Sequence, residues 1–247
     1  MNMPKHELAM SIRHVGVCYR RRAKLRESGR YWALKDISFD LYHGETLGVI
    51  GRNGVGKSTL LRLLAGIIAP DRGEISCHIG RASLLSLQVG FASHLSGREN
   101  AILSGTLLGM RRRDVMEKMD EIVEFSGLGD FIDQPVGTYS AGMRARLGFA
   151  VAYQAQPDVL LIDEVLGVGD AEFKNKSAEA LRERIRTNQT VVIVSHILST
   201  LRELCDRVVW IENGVTRAVG PTQEVLASYE QAINVPVARD GGLSKAV

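Results

Sequence analysis

An eight-residue stretch, Gly-Arg-Asn-Gly-Val-Gly-Lys-Ser at positions 51–58, constrains the fold of this chain more than any other part of the sequence. It fits the Gly-x-x-x-x-Gly-Lys-Ser pattern of a P-loop. The apolar run before it, Thr46–Ile50, predicts a buried strand, and residues 59–66 after it predict a helix. A P-loop needs this strand–loop–helix context, so the sequence predicts an α/β fold with a phosphate-binding loop.

The residue types of this loop suit a nucleoside triphosphate bound together with Mg²⁺. Its glycines let backbone N–H groups close around phosphate oxygens, and the helix N-terminus adds partial positive charge. We expect Lys57 to reach the β- and γ-phosphates and the Ser58 hydroxyl to ligate Mg²⁺. Kinases, GTPases and motors share such loops, so the loop alone predicts nucleotide binding and nothing finer. The predicted nucleotide-binding residues here are Gly51, Asn53, Gly54, Gly56, Lys57, Ser58 and Thr59.

Composition and charge limit what else the chain can be. A net charge of +3 is too small to indicate a nucleic-acid partner by itself. Cys18, Cys77 and Cys205 are scattered without a CxxC pair, which is typical of a reduced cytosolic protein. No run of 18 apolar residues occurs, so we expect any membrane role to come through a partner. The basic segment 20–30 is either a solvated loop or a surface that faces anionic lipid or an acidic partner.

Two kinds of strand are predicted. Residues 10–19 and 33–42 alternate apolar and polar side chains and are joined by turns, which indicates an antiparallel sheet beside a parallel one. Residues 208–215 predict a hairpin, because an Asn-Gly pair at 213–214 is a strong signal for a tight turn.

A helical subdomain is predicted within the α/β core, at about residues 90–156. Segments 98–110 and 114–125 carry apolar residues at helical spacing. A third helix is predicted over 143–153, with Ser140 as its N-cap.

Two further apolar runs end in polar residues that suit phosphate chemistry. Residues 159–162 run into Asp163 and Glu164, and residues 191–194 lead to His196. Beside a P-loop, this first pattern is a Walker B arrangement in which Asp163 holds Mg²⁺ directly or through water. Glu164 is predicted to polarise the attacking water as general base. His196 follows a buried strand, where parallel sheets place ligands, and is predicted to hydrogen-bond the γ-phosphate.

The order of these elements resembles the ABC-type ATPase domain, a P-loop NTPase with a RecA-like parallel-sheet core that uses ATP and Mg²⁺. Residues 139–143, Tyr-Ser-Ala-Gly-Met, are similar to the family signature, usually Leu-Ser-Gly-Gly-Gln. Two such domains dimerise head to tail, with each ATP between one P-loop and the partner's signature. The resemblance implies a homodimer in which Ser140 and Gly142 contact the γ-phosphate of the other copy. A Ser–small–Gly segment that opens a helix offers suitable donors.

The resemblance also assigns residues outside the main motifs. Asp170, in the Gly-Val-Gly-Asp of 167–170, is similar to the D-loop aspartate that acts across the dimer. Tyr19 resembles the aromatic residue that stacks on adenine. Tyr31 and Trp32 compete for that role, because the basic segment separates Tyr19 from the P-loop strand.

One motif departs from the family pattern at the junction with the helical subdomain. The family usually has a Gln there that contacts Mg²⁺ and water. Counting back from Leu-Ser-Gly-Arg-Glu-Asn at 95–100 places Leu87 at that position, with Gln88 one residue later. Gln88 is therefore the candidate for the metal and cofactor contact, and Leu87 leaves the assignment open.

The remaining motifs are similar to the polysaccharide-exporter branch, which exports lipid-linked O-antigen, capsule or teichoic acid. They include Asp-Glu-Val-Leu-x-Val-Gly-Asp and Tyr-Ser-x-Gly-Met-Arg, and the resemblance covers about residues 10–225. It implies an ATPase on the cytoplasmic face of the bacterial inner membrane, held there by two copies of a polytopic permease, with no nucleic acid. We expect a single ATPase domain over 1–235, a flexible tail over 236–247 and no carbohydrate-binding domain.

Two other classes of protein share parts of this pattern. Soluble ABC proteins of translation or DNA repair usually carry two cassettes or long coiled-coil insertions, and this sequence has a single P-loop. A P-loop kinase would need an acceptor site and would leave the signature segment unexplained.

Overall fold

A computed structural model describes residues 7–20, 29–85, 90–163 and 170–234. Within these ranges the strands are β1 (Leu8–Arg20), β2 (Arg30–Tyr42), β3 (Thr46–Ile50), β4 (Arg72–Cys77), β5 (Ala82–Leu84), β6 (Val159–Asp163), β7 (Thr190–Val194), β8 (Arg207–Glu212) and β9 (Val215–Pro221). The helices are α1 (Lys57–Leu64), α2 (Gly97–Leu107), α3 (Arg112–Glu117), α4 (Met119–Ser126), α5 (Ala141–Gln154), α6 (Ala171–Arg186), α7 (Leu198–Leu204) and α8 (Thr222–Asn234). Every helix in the described part of the chain is too short or too polar to span a bilayer.

All nine strands belong to one sheet, in the order β4-β1-β2-β9-β8-β3-β7-β6-β5. The run from β8 to β5 is parallel, and β1 pairs antiparallel with both β2 and β4. The two parts meet where β2 lies parallel to β9, through the register pair Asp36 and Val215. The predicted antiparallel strands beside a parallel core are confirmed, and they are continuous with that core.

Helices cover both faces of the parallel strands, which explains why these strands do not alternate. Along β6, Leu161 packs into the same cluster as Leu60 of α1. Leu160 points to the other face and packs with Phe173 and Leu181 of α6. A third cluster is formed by buried residues of α2, α3, α4 and α5 and of the turns between α4 and α5, which together form the helical part of the structure.

Four aromatic rings join the helical part to the core. Phe125 of α4 stacks on Phe149 and Tyr153 of α5, at centroid distances of 5.7 and 5.2 Å. Phe173 of α6 meets Phe125 and Phe149 edge-on, at 5.8 Å from each. Aromatic pairs of this kind are worth about 0.5–1.5 kcal/mol each beyond the area they bury. The cluster therefore links α5, which follows the signature segment, to α6 in the core.

The hairpin predicted at the Asn-Gly pair is confirmed. Asn213 and Gly214 both have positive φ, 51° and 80°, as a tight turn between β8 and β9 requires. The carbonyl of Gly214 accepts hydrogen bonds from the N–H groups of Lys35 and Asp36, at 2.7 and 3.2 Å. The turn thus also joins the parallel core to the antiparallel strands.

One helix prediction was wrong, and one helix was not predicted. Segment 114–125 was expected to be one helix, but α3 and α4 are separated at Lys118, whose φ of −94° and ψ of 7° interrupt the helix. The helix α7 was not expected at all. It has seven residues, and Leu201 is its buried one, so its apolar pattern is too short to stand out.

Candidate nucleotide-binding site

The P-loop passes so close to neighbouring backbone that glycine is required at two positions. A Cβ on Gly51 would come within 2.4 Å of the Ile211 carbonyl oxygen. A Cβ on Gly56 would come within 2.5 Å of the Ala33 carbonyl oxygen, and Gly56 also has a φ of 100°. The backbone of the loop therefore packs directly against the backbone of β8 and of β2, with no room for side chains at Gly51 and Gly56.

Lys57 is buried at the start of α1, and its side chain closes the loop. Its Nζ donates hydrogen bonds to the carbonyl oxygens of Gly51, at 2.8 Å, and Arg52, at 3.2 Å. The N-cap of α1 is Gly56, which has no side chain to occupy the first N–H groups of the helix. These N–H groups and the positive end of the helix dipole suit an anion.

A cavity of about 420 Å³ opens above this helix, within the size range of small-molecule sites. Its wall brings together residues from the P-loop, the two long N-terminal strands and the end of β6. These are Tyr19, Tyr31, Ala33, Asn53, Gly54, Gly56, Lys57, Ser58, Thr59 and Asp163. Thus six of the seven predicted loop residues line one cavity, together with the predicted Mg²⁺ ligand on β6. The seventh, Gly51, contributes the carbonyl that holds Lys57.

The carboxyl ends of three parallel strands converge at this cavity. Val194, the last residue of β7, is in register with Val49 of β3 on one side and Asp163 of β6 on the other. His196 follows two residues later and is exposed at the same edge. It is not part of the cavity wall that the described residues form.

Ser58 and Asp163 bring a hydroxyl and a carboxylate, both hard oxygen donors, to the same cavity. In the described part of the chain, no group of three or more His, Cys, Asp or Glu could hold a metal ion alone. Mg²⁺ usually takes one or two protein ligands and completes its shell with phosphates and waters, so these residues fit it. Glu164, Leu87 and Gln88, on which the predicted base and the second metal contact depend, lie outside the described residues.

The three aromatic candidates for the base contact are placed differently. Tyr19 of β1 and Tyr31 of β2 are direct cross-strand partners, and both line the cavity. Trp32 is instead covered by the guanidinium of Arg72, which lies 4.4 Å from the ring centroid. It also packs against Gly16, where an added Cβ would come within 2.9 Å of its ring. The structure places Trp32 in a packing role.

The signature residues lie on a different part of the surface. Ser140 is the N-cap of α5, as the sequence predicts, and its exposed hydroxyl accepts a 3.1 Å hydrogen bond from the Met143 N–H. A Cβ on Gly142 would have 3.7 Å to its nearest neighbour, the Ser140 Oγ. Neither residue lines the P-loop cavity of its own chain.

Asp170 lies at the start of α6 and caps it, accepting a 2.9 Å hydrogen bond from the Phe173 N–H. Its carboxylate is 4.0 Å from the guanidinium of Arg146 on α5. One copy of the chain therefore brings Asp170 close to the signature helix and keeps all three of these residues off its own P-loop cavity.

Tyr139 is a residue whose importance the sequence did not reveal. Its ring is buried, and its hydroxyl donates a hydrogen bond to the carbonyl of Phe131. Its own carbonyl accepts a 2.8 Å hydrogen bond from Arg144. Burial raises the pKa of the Tyr139 phenol. These contacts anchor the chain one residue before Ser140, and the unusual aromatic at the first signature position was the available signal.

Comparison with known proteins places this geometry in a family. Residues 34–167 match the model of the ABC transporter family. The chain is 45% identical over 228 residues to an O-antigen export system ATP-binding protein RfbB of Klebsiella pneumoniae, covering 92% of this chain and 93% of the relative. It is 42% identical over 210 residues to a teichoic acids export ATP-binding protein TagH of Listeria monocytogenes, covering 85% of this chain and 62% of the relative.

Solved structures agree on the fold. The ATP-binding subunit of an ABC transporter superimposes with a TM-score of 0.71 at 20% identity, covering 90% of this chain and 93% of its own. A dimeric ATP-binding cassette in a post-hydrolysis state, bound to ADP and Pi, superimposes with a TM-score of 0.69 at 19% identity, covering 86% of this chain and 98% of its own.

Proposed function

The chain belongs to the ABC transporter family, and on that premise we propose that it is the ATP-hydrolysing subunit of a bacterial exporter of lipid-linked polysaccharide, with O-antigen as the cargo. One observation carries this proposal. The 45% identity to the Klebsiella O-antigen export protein extends over nearly the whole of both chains. The cavity that unites the P-loop with Asp163 supplies the chemistry that such a subunit needs.

ATP is the proposed ligand of the cavity. The N–H groups at the start of α1 and the Lys57 ammonium would hold the phosphates, and Ser58 and Asp163 would hold Mg²⁺. When bound, Mg²⁺ neutralises charge on the phosphates and orients them. Glu164, next to Asp163 in sequence, is the proposed base that takes a proton from water. His196 is the proposed sensor of the γ-phosphate.

A homodimer completes the proposed site. Ser140, Gly142 and Asp170 are kept off the cavity of their own chain, and the open space around Gly142 would admit a phosphate from another copy. The N-terminus of α5 offers that phosphate a hydroxyl, N–H groups and a positive dipole. ATP then closes the dimer, and hydrolysis lets it reopen.

Two copies of a polytopic permease are the proposed membrane partner, with this subunit peripheral on the cytoplasmic face. The groove between the helical part and the core, near residues 88–96, is the proposed seat of a cytoplasmic permease helix. A Cβ on Gly90 would lie 2.3 Å from the Leu107 side chain, so the chain at Gly90 packs directly against α2 of the helical part.

Teichoic acid is the second candidate cargo, because relatives named for its export are 41–45% identical to this chain. The chain spans only 43–62% of the length of those relatives, compared with 93% of the Klebsiella protein. O-antigen is therefore the better supported cargo, with capsule as a further member of the same class.

Deletion and copurification test this proposal together. Deleting the gene is expected to remove the surface polysaccharide and to leave lipid-linked chains inside the cell. The wild-type subunit should restore export, Lys57→Ala should not, and both should copurify with one polytopic membrane protein. ATPase activity without any membrane partner would contradict the transport role and favour a soluble ABC protein.

A further inference from the structure

A second cavity, of about 730 Å³, lies at the amino ends of β5 and β6. Its wall is formed by residues of 80–81 and 154–158, which lead into these two strands, and by parts of segment 108–118, which joins α2 to α4. The nucleotide cavity lies at the carboxyl end of β6, and this strand spans about 16 Å. The amino-end cavity is therefore separate from it, and its volume is within the range of small-molecule sites.

Two cations of this wall have no carboxylate partner in the part of the chain that the structure describes. The guanidinium of Arg81 lies over the backbone of Gly109, where an added Cβ would overlap it. The ammonium of Lys118 donates a 3.0 Å hydrogen bond to Oε1 of Gln154. Every ion pair among the described residues involves other cations. The charges of Arg81 and Lys118 are therefore available to an anionic ligand.

The carboxylates of the wall are already engaged. Asp114 and Glu117 lie 4.0 and 3.3 Å from Nε of Arg113, which is outside the wall. Oδ2 of Asp158 accepts a 2.6 Å hydrogen bond from the backbone N–H of Arg81. A carboxylate has about four lone-pair sites, so these groups can still accept hydrogen bonds from the hydroxyls of a ligand. The wall therefore combines unpaired cations with acceptors whose charge is partly neutralised.

The side-chain amide of Gln154 has a donor left for a ligand. This residue is only 9% exposed, and a lysine ammonium can only donate, so the atom that Lys118 contacts is the amide oxygen. The NH₂ group therefore points away from Lys118, and within the described ranges it forms no hydrogen bond. Buried polar groups are nearly always hydrogen-bonded. Because Gln154 lines the cavity, a ligand oxygen can supply the missing acceptor.

The carbonyl end of α5 also borders the amino-end cavity, and the negative end of a helix dipole opposes an anion. Arg184 of α6 offsets this effect, because its guanidinium donates hydrogen bonds to the carbonyl oxygens of Tyr153 and Ala155, at 2.5 and 2.6 Å. The last carbonyls of α5 thus have a cation of their own. Arg81 and Lys118 are not needed for that purpose and remain for a ligand.

We propose that the amino-end cavity binds an acidic sugar, meaning a sugar that carries a phosphate or a carboxylate group. Arg81 and Lys118 hold the anionic group through charge-assisted hydrogen bonds, which are about twice as strong as neutral ones. The NH₂ group of Gln154 donates to a sugar oxygen, and Asp158 accepts from a hydroxyl. The C–H groups of the ring suit Leu108, an apolar residue of the wall. This site goes beyond the proposed function and leaves the nucleotide cavity open to ATP.

Calorimetric titration of the full chain with glucose 1-phosphate, glucuronate and glucose tests the proposal. At least one acidic sugar should bind with a Kd below about 1 mM, and glucose should bind at least about 10-fold more weakly. Binding of glucose 1-phosphate alone would assign the site to phosphate, and binding of glucuronate alone would assign it to a carboxylate. Binding of neither below about 10 mM, or equal binding of glucose, would overturn the inference.

Substitution of the two cations tests where the acidic sugar binds. Arg81→Met and Lys118→Met should each weaken its binding about 10- to 100-fold, the range for a hydrogen bond to a charged group. Lys118→Arg keeps the charge and should stay within about 3-fold of wild type. Arg81 is exposed, so its variant should fold normally and keeps the test valid where the buried contact of Lys118 matters for folding. Unchanged binding in Arg81→Met would overturn the inference.

Two control variants separate this site from the rest of the surface and from the P-loop. Arg112→Met removes an exposed arginine outside the wall and should keep acidic-sugar binding within about 2-fold of wild type. Lys57→Ala should lose ATP binding and keep acidic-sugar binding. Loss of sugar binding in Lys57→Ala but not in Lys118→Met would place the probe in the P-loop and overturn the inference. Wild-type protein that binds an acidic sugar but no ATP would instead overturn the proposed function.

Discussion

Gly97 and Tyr139 are packed so closely that a Cβ on the glycine would lie 2.2 Å from the tyrosine hydroxyl oxygen. Gly97 is the first residue of α2, and Tyr139 immediately precedes the N-cap of α5. The contact therefore fixes the signature segment against the start of another helix. Gly97 and Tyr139, for which no chemical role is predicted, thus position the signature segment, for which a role in phosphate binding is predicted.

Gly97→Ala is expected to destabilise the chain by about 1–3 kcal/mol, the usual cost of overpacking a buried contact. Adding Tyr139→Phe removes the clashing oxygen, so the double variant should lose less than the sum of the single losses. Urea unfolding measures all three free energies. Gly142→Ala is the matched control, since its nearest neighbour is 3.7 Å away and it should stay within about 0.5 kcal/mol of wild type. Additive losses would mean that the contact is not the cause.

Substitution of Ser140 separates its capping role from its proposed role across the dimer. Ser140→Asp keeps a side-chain N-cap for α5 but puts a negative charge where the partner's γ-phosphate is expected. We expect unchanged thermal stability and ATP affinity, with hydrolysis lost. Ser140→Arg should block hydrolysis as well and also lose about 1 kcal/mol of stability with the cap. Normal phosphate release by the Asp variant would argue against the trans site.

Glu164→Gln is expected to slow hydrolysis by about 10²- to 10⁴-fold, which is the usual contribution of a general base. ATP should still bind, because Lys57 and Ser58 are unchanged, and the protein should elute from gel filtration as a dimer when ATP is present. Glu172→Gln, in the first turn of α6, is a matched surface control and should hydrolyse ATP normally. Wild-type rates for Glu164→Gln would remove its assignment as the base.

Burial of Glu45, which is paired with Arg207, makes stability depend on pH. The Arg207 Nη1 lies 3.1 Å from both carboxylate oxygens of Glu45, which is buried immediately before β3. Burial raises the pKa of Glu45 above its ordinary value of 4.5, although Arg207 opposes that change. A raised pKa favours folding at low pH, and this contribution is lost as the pH rises through the folded-state pKa.

Arg207→Met should therefore cost more at pH 8 than at pH 5, where a proton can neutralise the unpaired carboxylate. We expect a loss of about 2–3 kcal/mol at pH 8, below the range for a fully buried pair because Arg207 is partly exposed. Urea unfolding at both pH values measures it. Adding Glu45→Gln should remove the difference between the two pH values, and a difference that persists would place its origin elsewhere.

The strongest sequence signals were apolar runs and glycine turns, and these gave the parallel core, the hairpin at Asn213 and the P-loop correctly. The break between α3 and α4 had no such signal, because Lys118 is a good helix former and tertiary packing sets its conformation. The role of Tyr31 was left open for another reason. The sequence does not show which residue of β2 lies opposite Tyr19, because the length of the connection between β1 and β2 does not fix the register of the two strands. Tyr31 and Trp32 were therefore equivalent candidates until the structure showed which of them faces the cavity.

The hydrogen bonds of Lys57 to Gly51 and Arg52 have a consequence for the entropy that ligand binding costs. A free lysine side chain has about 2 kcal/mol of rotamer entropy to lose when it is immobilised. Here the ammonium group is already held at the mouth of the loop by two carbonyl oxygens. The Lys57 ammonium has one N–H donor left for a triphosphate. Most of the entropy of immobilising this side chain is therefore lost when the chain folds, and not when the ligand binds.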